Sequence, residues 1–115
     1  MPRDRDEFRL RHMLDHAREA VAMAGNYSED DLADNRMLQL ALVRLVEIIG
    51  EAAARVSPEA QARHSGVPWP AIVGMRNRLI HGYADIAHDI VWGILETNLP
   101  VLKKELAWGN PGVGL

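Results

Sequence analysis

The stretch that decides the fold is DNRMLQLALVRLVEIIGEAAAR, residues 34–55. Met37, Leu38, Leu40, Ala41, Leu42, Leu45, Val46, Ile48, Ile49 and Ala52 recur at helical spacing and cover most of the circumference of a helix. A helix that apolar all round belongs inside a protein, so this segment reads as the central helix of an all-α domain. Gly50 interrupts it. A glycine in a helix interior costs about 1 kcal/mol relative to alanine, which points to a close approach by a neighbouring helix at that position. Glu47 and Glu51 lie four residues apart on one face and flank the glycine. Their ordinary role is solvent exposure or pairing with an arginine; their functional role would be to orient an arginine of the next long helix.

Outward from this segment, Phe8, Leu10, Met13, Leu14, Ala17, Ala20, Val21 and Ala24 recur at spacings of three and four, which predicts an amphipathic helix over residues 4–24. GNYSEDD, residues 25–31, ends it, with Gly25 and Asn26 as a stop and Ser28 or Asp30 as the next N-cap. On the other side, Ser57 before Pro58 and Glu59 predicts a short capped turn of helix. VPWP, residues 67–70, is extended because each residue before a proline is pushed out of the helical region. Two further helices are expected, over residues 70–82 and 86–107. The architecture is thus an antiparallel bundle of four main helices plus a short helical turn, with residues 1–108 as a single domain and 109–115 as a mobile tail. No repeat, low-complexity tract or strand-like alternation interrupts this reading.

Composition narrows the function. A chain of 115 residues can bury a core without staples, and it contains no cysteine, which excludes a disulfide framework, a thiolate nucleophile and a cysteine zinc site. No leader-like start and no apolar run near the roughly 18 residues of a membrane span is present, so a soluble cytoplasmic protein is expected. The net charge of −3 argues against coating nucleic acid through a global positive field. Charge is unevenly placed, however: between residues 55 and 83, Arg55, Arg63, Arg76 and Arg78 face the single acid Glu59. His12 and His16 are spaced i, i+4 but lack the intervening glutamate of a zincin and a third ligand, and His64 and His88 have no metal spacing, so no metal site and no cofactor are expected. Trp69, Trp92 and Trp108 read as core or interface residues rather than base-stacking platforms, and Leu79 and Ile80 as packing residues.

The chemistry concentrates in MRNRLIHGY, residues 75–83. Cleaving RNA without a metal needs a group to take the 2′-hydroxyl proton, a group to protonate the departing 5′-oxygen, and a cation to hold the phosphate as charge builds. Histidine serves the first two near neutral pH, and the bidentate fork of arginine serves the third. Arg76, Asn77, Arg78 and His81 together supply that inventory. On a straight helix, at about 100° per residue, Asn77 and Arg78 lie near the face of His81 while Arg76 is roughly 140° away, next to Tyr83. A bend near Gly82, a long reach by Arg76 or a cleft completed by a second protomer would each relieve this spread.

The spacing Arg76, His81, Tyr83 resembles the R-x4-H-x-Y motif of HepT-like toxins, all-helical ribonucleases of the HEPN superfamily. The resemblance extends to EIIGEAA at 47–53, VPW at 67–69 leading into IVGMRNRLIHGY, and IVWGILETNLPVL at 90–102, nearly the whole chain. It implies a metal-independent endoribonuclease toxin with Arg76 and His81 as the catalytic pair and Asn77 at the polar position after the arginine. It implies a homodimer whose two motifs face one cleft. It also implies that Tyr83 is AMPylated by a partner antitoxin, a minimal nucleotidyltransferase, which would set bulk and negative charge beside the phosphate site. From the residues alone, Tyr83 could equally be an amphipathic tyrosine packing its ring at a helix end. The alternative function is a non-catalytic helical module that partners a nucleotidyltransferase, although a pure scaffold has no need of the Arg76 and His81 pair.

Overall fold

In the computed structural model, which describes residues 2–81 and 85–109 and the side chains of residues 5–79 and 87–107, the chain is helical almost throughout. The order is α1 (Pro2–Ala24), α2 (Glu29–Asp34), α3 (Arg36–Ala54), α4 (Pro58–Arg63), α5 (Trp69–Val73), α6 (Met75–Leu79), β1 (Ile80–His81), β2 (Asp85–Ile86), α7 (His88–Gly93), a π-helical stretch Ile94–Asn98, and α8 (Leu99–Gly109). No described helix is long and apolar enough to cross a membrane.

The central position expected for α3 follows from its burial: Leu38, Leu42, Val43, Leu45, Val46, Ile49, Gly50, Ala52 and Ala53 are all buried. It packs against α1 along its length and against α5, α6 and α7 at its flanks. On α1, Met13, Leu14, Ala17, Ala20 and Ala24 form the inward stripe. Phe8, expected on that stripe, is instead 59% exposed, and on α3 Met37 and Leu40 also face outward.

One short helix is added and one expected helix is divided. Ser28 caps a helix as expected, accepting from the Asp31 amide at 3.1 Å while Asp31 accepts from the Ser28 amide at 2.9 Å. That helix is the separate six-residue α2, and Asn35 starts α3 by accepting from Leu38 N at 3.0 Å. Such a reciprocal capping box satisfies donors that the first turn leaves orphaned. The helix expected over 70–82 breaks at Gly74 into α5 and α6 and ends at Leu79. Ile80 and His81 then leave the helix and pair antiparallel with Ile86 and Asp85. This short ladder is the one departure from helix-only structure among the described residues, and the class remains all-α.

The last helix is continuous from α7 through α8 despite Pro100. Leu99 N bonds Ile94 O, the wide i to i+5 pattern, so the turn before the proline is already opened where a tighter one would meet the proline ring. Gly109, placed in the tail by the sequence reading, closes α8; residues 110–115 lie outside the described residues.

Long-range polar contacts fix the junctions that carry the site. Asp6 of α1 is buried and accepts from Ser57 N at 2.9 Å and Ser57 Oγ at 2.6 Å, while the same hydroxyl accepts from Ala60 N at 3.1 Å to cap α4. Both hydrogen bonds favour the charged form and hold the Asp6 carboxyl below its ordinary value, against the opposing effect of burial. Trp69, buried as expected, donates from Nε1 to the carbonyls of Gln61 and His64, each at 3.1 Å, and so pins the start of α5 to the end of α4.

Candidate active site

The site is built where α3 meets the α5–α6 break. Gly50 allows the meeting: a methyl at that position would stand 3.4 Å from the Ile72 carbonyl oxygen and 3.6 Å from that of Val73. The backbone of α3 therefore lies against the end of α5, as the helix glycine suggested. Gly74 then terminates α5 with its amide bonded to Pro70 O at 3.0 Å, and Asn77 N bonds Gly74 O at 3.1 Å to begin the next turn. The result is a cleft of about 350 Å³ lined by Gly50, Glu51, Ala54, Arg55, Val73, Arg76 and Asn77.

Of the expected site residues, Glu51, Arg76 and Asn77 meet in this cleft. Arg76 Nη1 lies 3.8 Å from Glu51 Oε1, an ion pair too long for a hydrogen bond. Glu51 is shared, since Arg44 Nη1 stands 3.8 Å from the same oxygen and also 3.8 Å from Glu47 Oε1. All four side chains are substantially solvated, and pairs of this kind contribute about 0–1 kcal/mol each. The carboxylate thus guides the Arg76 guanidinium without locking it, and leaves it able to turn to a stronger bidentate anion such as a phosphate.

Glu47 is engaged with Arg44 and does not line the cleft, and Arg78 is exposed on α6 outside it. His81 has its backbone in β1, paired with Asp85, two residues beyond the end of α6; its side chain lies outside the described residues, as does the whole of Tyr83. The helical projection of the motif is therefore corrected. Arg76 and Asn77 share one cleft while Arg78 does not, and because the chain leaves the helix after Leu79, a spacing of 100° per residue does not carry from Arg76 to His81. The angular spread therefore gives no reason to invoke a second protomer, one of the three ways of relieving it.

A second groove adjoins the first. It encloses about 530 Å³ between α1 and the C-terminal half of α3 and is lined by Arg5, Phe8, Arg9, His12, Ile48, Glu51, Ala52 and Arg55. Glu51 and Arg55, one turn apart at the end of α3, line both, so the two concavities are neighbours on either side of these side chains. Arg9 Nη1 donates to the Arg55 carbonyl at 2.7 Å, satisfying an orphan acceptor at the end of α3. On α1, the Phe8 ring meets His12 edge-on at a centroid distance of 5.5 Å, and His12 and His16 lie 4.2 Å apart, with His16 Nδ1 donating to His12 O at 2.7 Å. Sequence reading missed this groove because Phe8 was placed with the core and the arginines of α1 were not weighed with those between residues 55 and 78. The i, i+4 repeat of Phe8, His12 and His16 was its available signal.

The Ribonuclease HepT-like family matches residues 13–107. A protein of Methanocaldococcus jannaschii named "Putative RNase" is 32% identical over 97 residues, covering 84% of this chain and 89% of the relative. A protein of Caldanaerobacter subterraneus with the same description is 35% identical over 97 residues, covering 84% and 87%. A "Probable ribonuclease HepT" of Thermococcus cleftensis is 35% identical over 75 residues, covering 65% and 67%. No solved structure matches the chain significantly.

Proposed function

Because this chain belongs to the Ribonuclease HepT-like family, we propose that it is a metal-independent endoribonuclease toxin that cuts RNA with Arg76 and His81. The observation that supports this reading best is the cleft at the α3–α6 junction, where Arg76 and Asn77 share one concavity just before the strand that bears His81. In the reaction, the 2′-hydroxyl loses its proton and its oxygen bonds to phosphorus as the bond to the 5′-oxygen breaks and that oxygen takes up a proton. Arg76 holds the non-bridging oxygens, whose negative charge grows as the phosphorane forms. His81 exchanges the protons, and Asn77 offers an amide to the same phosphate. Two proton transfers are needed at opposite oxygens, and each motif carries one histidine. A homodimer with two motifs on one cleft supplies a separate imidazole for each.

Control of the activity falls to Tyr83, two residues after His81. Its AMPylation by a minimal nucleotidyltransferase antitoxin would place a charged nucleotide beside the phosphate site and exclude RNA by bulk and repulsion.

The test of cleavage compares the purified chain with Arg76→Ala and His81→Ala on RNA in chelator, without added metal. Each variant is expected to lose on the order of a hundredfold or more in kcat. A wild-type protein that cuts no better than the variants would leave the non-catalytic nucleotidyltransferase-binding module as the surviving reading. For the modification, co-expression with the antitoxin should add adenylyl mass that vanishes in Tyr83→Phe; a shift that persists would place it elsewhere.

A further inference from the structure

We propose that the groove between α1 and the C-terminal half of α3 is a binding track for single-stranded RNA leading into the Arg76 cleft, with Phe8 and His12 stacking a base and Arg5 and Arg55 holding flanking phosphates. The proposal rests on the ribonuclease reading for its substrate class; the location and its residues come from the geometry.

Charge is the first support. The chain is acidic overall, with a net charge of −3, yet this groove sets Arg5, Arg9 and Arg55 against Glu51 alone. Among the described residues the ion pairs join Arg44 to Glu47 and Glu51 and Arg76 to Glu51, and none involves Arg5, Arg9 or Arg55. Arg9 is held across to the end of α3, so the groove floor is tied to both helices. An anion entering from solvent meets a local excess of positive charge on a chain that is acidic overall.

Phe8 is the second. It is the single phenylalanine of the chain and is 59% exposed at the groove wall. One exposed apolar residue is unremarkable alone. Here it begins a run of rings one helical turn apart, Phe8, His12 and His16, flanked by Arg5 and Arg9. Aromatic faces interleaved with cations along a groove suit unpaired bases, which a duplex would keep stacked inside.

Adjacency is the third. Because Glu51 and Arg55 line both concavities, a strand whose scissile phosphate sits at Arg76 has only these two side chains to cross before it reaches this groove.

The experiment measures binding of a fluorescein-labelled single-stranded RNA of about 12 nucleotides by anisotropy. The full chain carries His81→Ala so that the RNA survives. On that background, Phe8→Ala is expected to weaken binding by about tenfold and Phe8→Trp to retain it. Arg5→Ser should weaken binding and flatten its salt dependence. Both positions are exposed, and circular dichroism melts check that the fold is intact. Affinities for Phe8→Ala and Arg5→Ser within about twofold of the parent would overturn the track. So would loss of self-association by light scattering with RNA affinity unchanged, which would give this face to a second copy. Failure of the ribonuclease reading shows separately, as a protein with His81 intact that cuts nothing, since anisotropy reads the groove whether or not cleavage occurs.

Discussion

Glu51 shows how a weak contact can serve a site. At 3.8 Å and largely solvated, its pairing with Arg76 contributes little stability, yet it is the contact that gives the guanidinium a direction. Glu51→Gln is therefore expected to leave the melting temperature nearly unchanged. The variant should lower kcat by on the order of tenfold, because the arginine loses orientation. KM should fall as well, because the phosphate no longer competes with a carboxylate; steady-state kinetics on one RNA separates the two. Asp6 is the opposite case, a buried carboxylate far from the chemistry whose two bonds to Ser57 join α1 to the cap of α4. Asp6→Ala leaves the Ser57 amide without its acceptor and should cost about 1–3 kcal/mol at neutral pH in denaturant titrations. Its folded-state pKa is lowered from 3.8, so this stabilisation is fully present above that value and is lost as pH falls through the lower folded-state value. The stability gap between wild type and Asp6→Ala should accordingly close only in strong acid.

Among the elements, although its cap, Asn35, was not read and Ser28 caps α2 instead, α3 was the most legible because most of what specifies it is local, an apolar circumference and one glycine. The same holds for the Ser28 and Ser57 caps, whose partners lie three residues away. What escaped depends on contacts distant in sequence. The 70–82 run has helical composition throughout, but the close approach of α3 fixes where α5 stops, and pairing with residues 85 and 86 draws Ile80 and His81 out of the helix. Propensity yields to tertiary context at such places. Arg76 and Asn77 stand out as candidate site residues from their chemistry, whereas the α1 wall of the adjoining groove, tied to α3 by a contact 46 residues apart, carried only the i, i+4 repeat of Phe8, His12 and His16 as a local mark. The α3–α5 approach makes a graded expectation. Gly50→Ala places a methyl at the edge of contact, 3.4 Å from the Ile72 carbonyl, and gains helix propensity, so thermal melts should shift by no more than about 1 kcal/mol equivalent in either direction. Gly50→Leu must displace α5, and should cost about 1–3 kcal/mol together with a larger loss of cleavage than of stability, because Arg76 moves with α6.

At the scale of the molecule, an acidic chain has to recognise a polyanion. On the proposed track, Arg5, Arg55 and Arg76 along two adjoining concavities would do this locally, while the net charge of −3 discourages RNA elsewhere on the surface. The number of phosphates neutralised is then small, and salt counts them. For single strands the logarithm of the association constant falls with the logarithm of salt concentration by about 0.7 per phosphate, so three contacts give a slope of about −2. Titration of wild type with an RNA whose 2′-hydroxyl at the cleaved position is replaced by hydrogen should yield that slope, and Arg5→Ser should reduce its magnitude by about 0.7. A much steeper slope would mean that RNA wraps a surface wider than these two concavities, as it could if a second protomer extended the track. A slope near zero would mean that stacking rather than phosphate neutralisation holds the strand, leaving Phe8 to carry affinity that the arginines were assigned.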